Sequence, residues 1–220
     1  MRALTIAIDG PSGAGKGTVA RALAATLGYR HVDSGAMYRA VGWKAAHDGV
    51  PLDDEARMGE LAACAVLTVD DAAVTIDGVD VTKAIRTPDI DRAAAAVARL
   101  PRVRSVLVER QRALGENGGI VMEGRDIGTV VFPRADLKIY LDASPDERAR
   151  RRARDPAHSG GPTRVADVES ALTARDESDR TRAVSPLYAA ADAVRLDTTG
   201  RSIDDVVAQV LTLVDSLQRT

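Results

Sequence analysis

Apolar residues recur along this chain with two periods, and the places where one period gives way to the other mark out most of its architecture. Residues 4–8 read LTIAI, apolar enough for a strand covered on both faces of a parallel sheet. Residues 16–27 then carry Val19, Leu23 and Leu27 at helical spacing. The same reading predicts further strands over 29–32, 120–122, 137–141 and 192–196, and helices over 36–47, 102–114 and 165–174. A last helix, capped by Ser202, has an apolar stripe of Ile203, Val206, Val207, Val210, Leu211 and Val214. Strands and helices alternating in this order predict a doubly wound α/β domain with about five parallel strands.

Two stretches interrupt the alternation. Residues 51–100 predict a helix over 53–65, short hairpin strands in LTVDDAAVTIDGVDVT, and an Ala-rich helix over 92–99 that ends near Pro101. The second stretch opens at Ser144, Pro145 and Glu147, which read as cap, first helical residue and capping box. Its helix carries Arg148, Arg150, Arg151, Arg152 and Arg154, a run whose ordinary reading is a solvated face. The Gly- and Pro-rich segment 155–162 predicts a hinge or lid tip, and Arg175, Asp179 and Arg182 follow at spacings that share a helix face.

Composition narrows the class. The 220 residues can bury a substantial core as one domain with insertions, and the single cysteine, Cys64, excludes a disulfide framework or a Cys-rich metal site and fits a reducing cytoplasm. His31, His47 and His158 are too scattered to suggest zinc, and no apolar run is long enough for a membrane span. A formal net charge of -2 argues against a general nucleic-acid binder. The expectation is a soluble protein with neither membrane nor nucleic-acid partner.

Chemistry enters where the first strand meets the first helix. Gly10, Pro11, Ser12, Gly13, Ala14, Gly15, Lys16, Gly17 and Thr18 form a glycine-rich turn whose N–H groups can curl around anionic oxygens at the positive end of a helix. Gly10, Gly15 and Lys16 satisfy the G-x-x-x-x-G-K part of the P-loop pattern, with Lys16 reaching the β and γ oxygens of a nucleotide such as ATP. Gly17 stands where Ser or Thr usually holds Mg²⁺, so the metal is expected to rest on phosphates, water and carboxylates from elsewhere. Asp33, Tyr38 and Arg39 follow the second strand, and Glu123, Gly124, Arg125 and Asp126 follow the third. That places them at the carboxyl edge of the sheet, where ligands sit in open α/β folds.

With these pieces in order, the chain resembles the bacterial cytidylate kinases of the nucleoside monophosphate kinase group. The segments that carry the resemblance are GPSGAGKGT from Gly10, DSGAMYR from Asp33, PRVR from Pro101, EGRDIGTVVFP from Glu123 and RDESDRTRAVSPL from Arg175. The resemblance implies a P-loop kinase fold with strand order 2-3-1-4-5, an acceptor-binding insertion over about 39–101 and a helical lid over about 148–182. The core then comprises about 1–38, 102–147 and 183–220. It implies transfer of the ATP γ-phosphoryl to CMP or dCMP by a cytoplasmic monomer using Mg²⁺.

By the same resemblance, Lys16 holds the donor, Arg39 and Arg125 grip the acceptor phosphate, and Arg182 and Arg152 arrive with the lid. Arg104 and Asp126 match base-recognition positions, Arg175 and Asp179 match positions near the sugar, and Ser34 and Tyr38 complete the acceptor set. Each of these two Arg–Asp couples can also be read as a structural ion pair. Asp33 and Glu123 are candidates to orient water around Mg²⁺, or simply helix caps. One departure is that the serine many members carry just before PRVR falls within 93–96, which is all alanine. Losing one such hydrogen bond costs about 0.5–1.5 kcal/mol. A kinase for another small acceptor, and a slow nucleotide switch, are the competing classes.

Overall fold

The structure is a computed structural model. It describes residues 3–70, 72–155 and 164–219. Five parallel strands, β1 (Thr5–Asp9), β2 (Arg30–Asp33), β6 (Ile120–Gly124), β7 (Leu137–Asp142) and β8 (Val194–Asp197), lie in the order β2-β6-β1-β7-β8. Renumbered within that sheet this is 2-3-1-4-5, as expected. β1 is central, with Ile6 in register with Val121 on one side and Leu137 on the other. Helices cover both faces, so the inner strands are apolar on both, consistent with their unbroken hydrophobic runs.

On one face α1 (Lys16–Leu27) and α8 (Ile203–Gln218) bury Val19, Leu23, Val206, Val210 and Val214 against Ile6, Ile8, Ile139 and Leu141. On the other, α2 (Ser34–His47) and α5 (Pro101–Leu114) pack Met37, Val41 and Leu107 against Val32 and Met122. That second core continues into the 39–101 excursion. There α3 (Glu55–Cys64), a three-stranded antiparallel sheet of β3 (Leu67–Val69), β4 (Val74–Ile76) and β5 (Val79–Asp80), and α4 (Pro88–Val97) add Met58, Ile76 and Val97. The two remaining helices, α6 (Pro145–Ala153) and α7 (Val165–Thr181), share a small separate cluster of Ala149, Val168 and Leu172.

Local chemistry moved several boundaries. α2 begins at Ser34 and not at 36, because the Asp33 carboxylate already caps it by accepting from Ala36 N at 3.0 Å. α4 begins at Pro88, four residues before the Ala-rich run, since Thr87 caps it and Pro88 takes the first helical turn. α7 continues unbroken to Thr181, and β8 starts at Val194 where 192 was expected. Ser144 caps α6 as expected, but Glu147 turns to Arg151 Nε at 2.9 Å, so the reciprocal arm of the capping box is not made. Residues 156–163, most of the expected lid tip, lie outside the described residues.

No sequence pattern announced the π-helix over Ile127–Val131. Its first two N–H groups donate to the buried Asp9 carboxylate, Ile127 N at 2.8 Å and Gly128 N at 2.7 Å. Burial pushes the Asp9 carboxyl up to about 6, and the two amides act against that rise.

The sharp exit from β1 depends on Gly10. Its φ is +148°, and a Cβ there would stand 2.0 Å from the Leu141 carbonyl oxygen. Gly10→Ala is therefore expected to destabilise the fold by about 1–3 kcal/mol from backbone strain, with the clash adding to it. Urea unfolding checks this; an unchanged midpoint would mean the loop has slack that the structure does not show.

Candidate active site

One cleft of about 660 Å³ opens at the carboxyl edge of the parallel sheet, between the glycine-rich turn, α2, α4 and the α6–α7 pair. Ten cations line it, nine of them arginine, against six carboxylates. The chain as a whole carries a formal charge of -2, so the positive excess is local and suits an anionic ligand.

The turn is built to receive phosphate. Gly15 is the N-cap of helix α1 and offers no side-chain cap, so the first N–H groups of the helix have no partner within it and face the cleft that Gly15, Lys16 and Gly17 line. Lys16 is 6% exposed, and its Nζ donates to the Pro11 carbonyl at 2.8 Å. Burial, aided by Arg125, lowers the Lys16 ammonium to about 7. Ser12, Gly13, Gly15, Lys16, Gly17 and Thr18 face the cleft, while Gly10, Pro11 and Ala14 shape the turn from behind.

Two buried side chains buttress that turn. Arg148 and Asp176 pair with each other across α6 and α7; Arg148 also donates to the Ser12 carbonyl at 3.1 Å, and Asp176 accepts from Ser12 N at 3.4 Å. The arginine run of α6 is thus divided by helical geometry. Arg150 and Arg154 are exposed, Arg148 supports the loop, Arg151 reaches Thr198, and Arg152 faces the cleft.

At the opposite end the acceptor candidates converge from α2, α5, α7 and the turn after β6. Arg104 from α5 and Asp126 after β6 form a buried pair, and Arg182 lies 3.5 Å from the same carboxylate. Tyr38 packs its ring 5.4 Å from the Arg104 guanidinium, and burial pushes its hydroxyl up to about 12. Arg125 Nε donates to Asp179 at 2.9 Å. Arg39 donates to Asp33 at 2.6 Å, with Arg86 at 3.4 Å from the same oxygen. Burial opposes ionisation of Asp33, but Arg39 and Arg86 outweigh it and hold the carboxyl well below the usual range. Ser34 donates to the Glu123 carbonyl at 2.6 Å, tying the start of α2 to the end of β6. Arg175 and Asp179, expected as a couple, each bind another partner: Arg175 lies 3.2 Å from Asp91, and Asp179 is held by Arg125.

Glu123 occupies the space that Gly17 leaves. A Cβ at residue 17 would stand 2.7 Å from Glu123 Oε1, so a side chain there would displace the carboxylate. His31 Nε2 sits 3.8 Å away on the other side. A carboxylate facing an uncapped loop is a donor suited to Mg²⁺. The Asp33 carboxylate is instead occupied by two guanidinium groups and a helix cap.

The family model for cytidylate kinase matches residues 6–216. The chain belongs to the cytidylate kinase family. A cytidylate kinase of Desulfitobacterium hafniense is 48% identical over 220 residues, covering 99% of this chain and 95% of that protein. One from Lactiplantibacillus plantarum is 45% identical over 223 residues, covering 99% and 97%. Among solved structures, a gluconokinase from Sinorhizobium meliloti superposes with a TM-score of 0.52 at 16% identity, covering 100% of this chain and 94% of that one. A shikimate kinase from Bacteroides thetaiotaomicron gives 0.51 at 15% identity, covering 96% and 98%. These two share the fold.

Beyond the residues that cytidylate kinase motifs pointed to, the cleft also takes Arg86, Arg151, Arg201, Ile203 and the alanines Ala94, Ala95 and Ala98. Arg151 stood within the arginine run of α6, where nothing in the sequence set it apart from its neighbours. Nothing in the sequence singled out Arg86 or Arg201, whose roles depend on loops brought to the cleft by the sheet.

Proposed function

We propose that the protein transfers the γ-phosphoryl group of ATP to CMP or dCMP, giving ADP and CDP or dCDP. The observation that carries this reading is the buried Arg104–Asp126 pair at the acceptor end, across the cleft from the uncapped start of α1. Cytosine offers an amine donor and a carbonyl acceptor, and this pair presents the complementary carboxylate and guanidinium. The alanine wall of α4 adds shape but no hydrogen bond, so selection of the base rests mainly on that pair.

The loop amides and Lys16 hold the β and γ phosphates of the donor. Arg39 and Arg125 hold the acceptor phosphate, one oxygen of which attacks the γ phosphorus as the bond to the β-bridging oxygen breaks. The acceptor oxygen is already largely ionised near neutrality, so the reaction needs alignment and charge dispersal more than a strong base. Arg182 and Arg152 reach the transferring group from the α6–α7 side, Arg175 and Asp179 hold the sugar, and Ser34 and Tyr38 brace the acceptor floor. Glu123 would hold the water shell of Mg²⁺, which when bound would offset the negative charge of the transferring group. Asp33 keeps Arg39 in place. One chain supplies both halves of the cleft, which supports a monomer working on free nucleotides. No described helix is long and apolar enough to cross a membrane.

An acceptor panel with ADP readout tests the reading: CMP and dCMP should be phosphorylated well above AMP or GMP. Faster turnover of AMP would remove the base-reading argument.

The lysine offers a second check. With its folded value near 7 against 10.5 unfolded, the nucleotide-free protein should gain stability as pH rises through that window, because the unfolded chain then binds more protons. ATP recharges Lys16, so at about pH 8 binding should take up roughly one proton. Calorimetry in buffers of differing ionisation enthalpy reads this directly. Heats that do not depend on the buffer would show that Lys16 is already charged before ATP arrives.

A further inference from the structure

Asp91 lies outside the loop and the acceptor groups, yet two of the site arginines converge on it. Asp91, Ala94, Ala95 and Ala98 follow one another along the same stripe of α4, and the three alanines line the cleft. Asp91 is thus the charged end of an otherwise apolar wall. Its Oδ2 accepts from Arg152 of α6 at 2.5 Å, and its Oδ1 lies 3.2 Å from Arg175 of α7. The Asp91 side chain is 15% exposed, so this is a sheltered three-helix junction. Asp89, two residues nearer the cap on the same first turn, is 81% exposed and, among the described residues, pairs locally with Arg92. Favourable charge at a helix start therefore does not account for where Asp91 sits.

The attachments of α6 and α7 give the junction its meaning. Their own apolar cluster is small, and among the described residues several of their ties to the rest of the molecule are polar ones made by charged side chains. Asp176 is tied to the loop, Asp179 to Arg125, and Arg99 of the α4–α5 turn donates to Ser178 Oγ at 3.2 Å. We propose that Asp91 is an anionic latch that docks α6 and α7 onto α4 in the nucleotide-free enzyme, by occupying guanidinium groups that substrate must recruit. Ligand oxygens fit the same planar fork, those of the transferring phosphoryl for Arg152 and those of the sugar for Arg175, so nucleotide binding transfers both arginines from Asp91 to ligand. Asp91 is a positioning residue. It orders the lid helices before substrate arrives, and it lowers apparent affinity because each nucleotide displaces it.

The ligand half of this inference rests on the acceptor reading above; the latch itself does not. The test uses the full-length protein with Asp91→Asn, and Asp89→Asn as the first-turn control. Without nucleotide, amide hydrogen exchange across α6 and α7 should be about tenfold faster in Asp91→Asn and unchanged in Asp89→Asn. Calorimetry should show CMP binding about threefold to tenfold tighter in Asp91→Asn, with kcat changed by less than that factor. Unchanged exchange overturns the latch. Faster exchange with CMP binding unchanged or weaker also overturns it, and makes Asp91 a support for the bound substrate. Should Asp91→Asn fail to fold, the wild type decides: raised salt should speed exchange selectively in α6 and α7, and uniform exchange overturns the proposal. If wild-type protein does not bind CMP at all, the acceptor reading fails, while the exchange measurements still judge the latch.

Discussion

Arg125→Met is expected to lower kcat for CMP phosphorylation about 10³-fold or more while ATP still binds. A thousandfold loss corresponds to about 4 kcal/mol at the transition state. The size follows from position. Arg125 stands where β6 ends, its Nε engaged by Asp179 at 2.9 Å, which fixes the fork and leaves further N–H donors for phosphate. Asp179 keeps Arg182 at 3.7 Å in the variant, so the fold should survive. Steady-state kinetics with a coupled ADP assay checks this, and a fall of less than about tenfold would remove Arg125 from the transferring site.

Asp126→Ala should act on stability first. Arg104 is 2% exposed and Arg182 is 5% exposed, and both rely on the Asp126 carboxylate. Removing one partner of a buried pair costs about 3–5 kcal/mol, because the other charge stays behind. Urea unfolding measures that loss, and a midpoint within error of the wild type would show that water or another anion already compensates Arg104. Asp126→Asn keeps the shape and separates recognition from folding. It should retain more stability than the alanine variant, yet still discriminate poorly between CMP and UMP, since the amide can donate where the carboxylate only accepts.

The loop and the sheet edge were legible because their chemistry is local. Gly10, Gly15 and Lys16 occur at fixed spacing, and Asp33 and Arg125 follow apolar runs short enough to be strands. Pairings that span distant segments were not legible. Asp91 and Arg152 are 61 residues apart, and Arg125 and Asp179 are 54 apart. No local pattern distinguishes Asp91 from Asp89, two residues earlier on the same helix; only the burial of one and exposure of the other does. Arg148 looked like part of a solvated run because it stands in a sequence crowded with arginine, and only the fold shows it reaching the Ser12 carbonyl. The π-helix escaped for a related reason, since the buried carboxylate that anchors it lies 118 residues away at Asp9.

That carboxylate has a consequence for how the enzyme fails. The strand that ends in the donor loop and the turn that carries Asp126 share one footing, so neither seat can loosen while the other stays intact. Heating should therefore abolish affinity for both nucleotides at a single midpoint, with no temperature at which the protein still grips ATP but has forgotten cytosine.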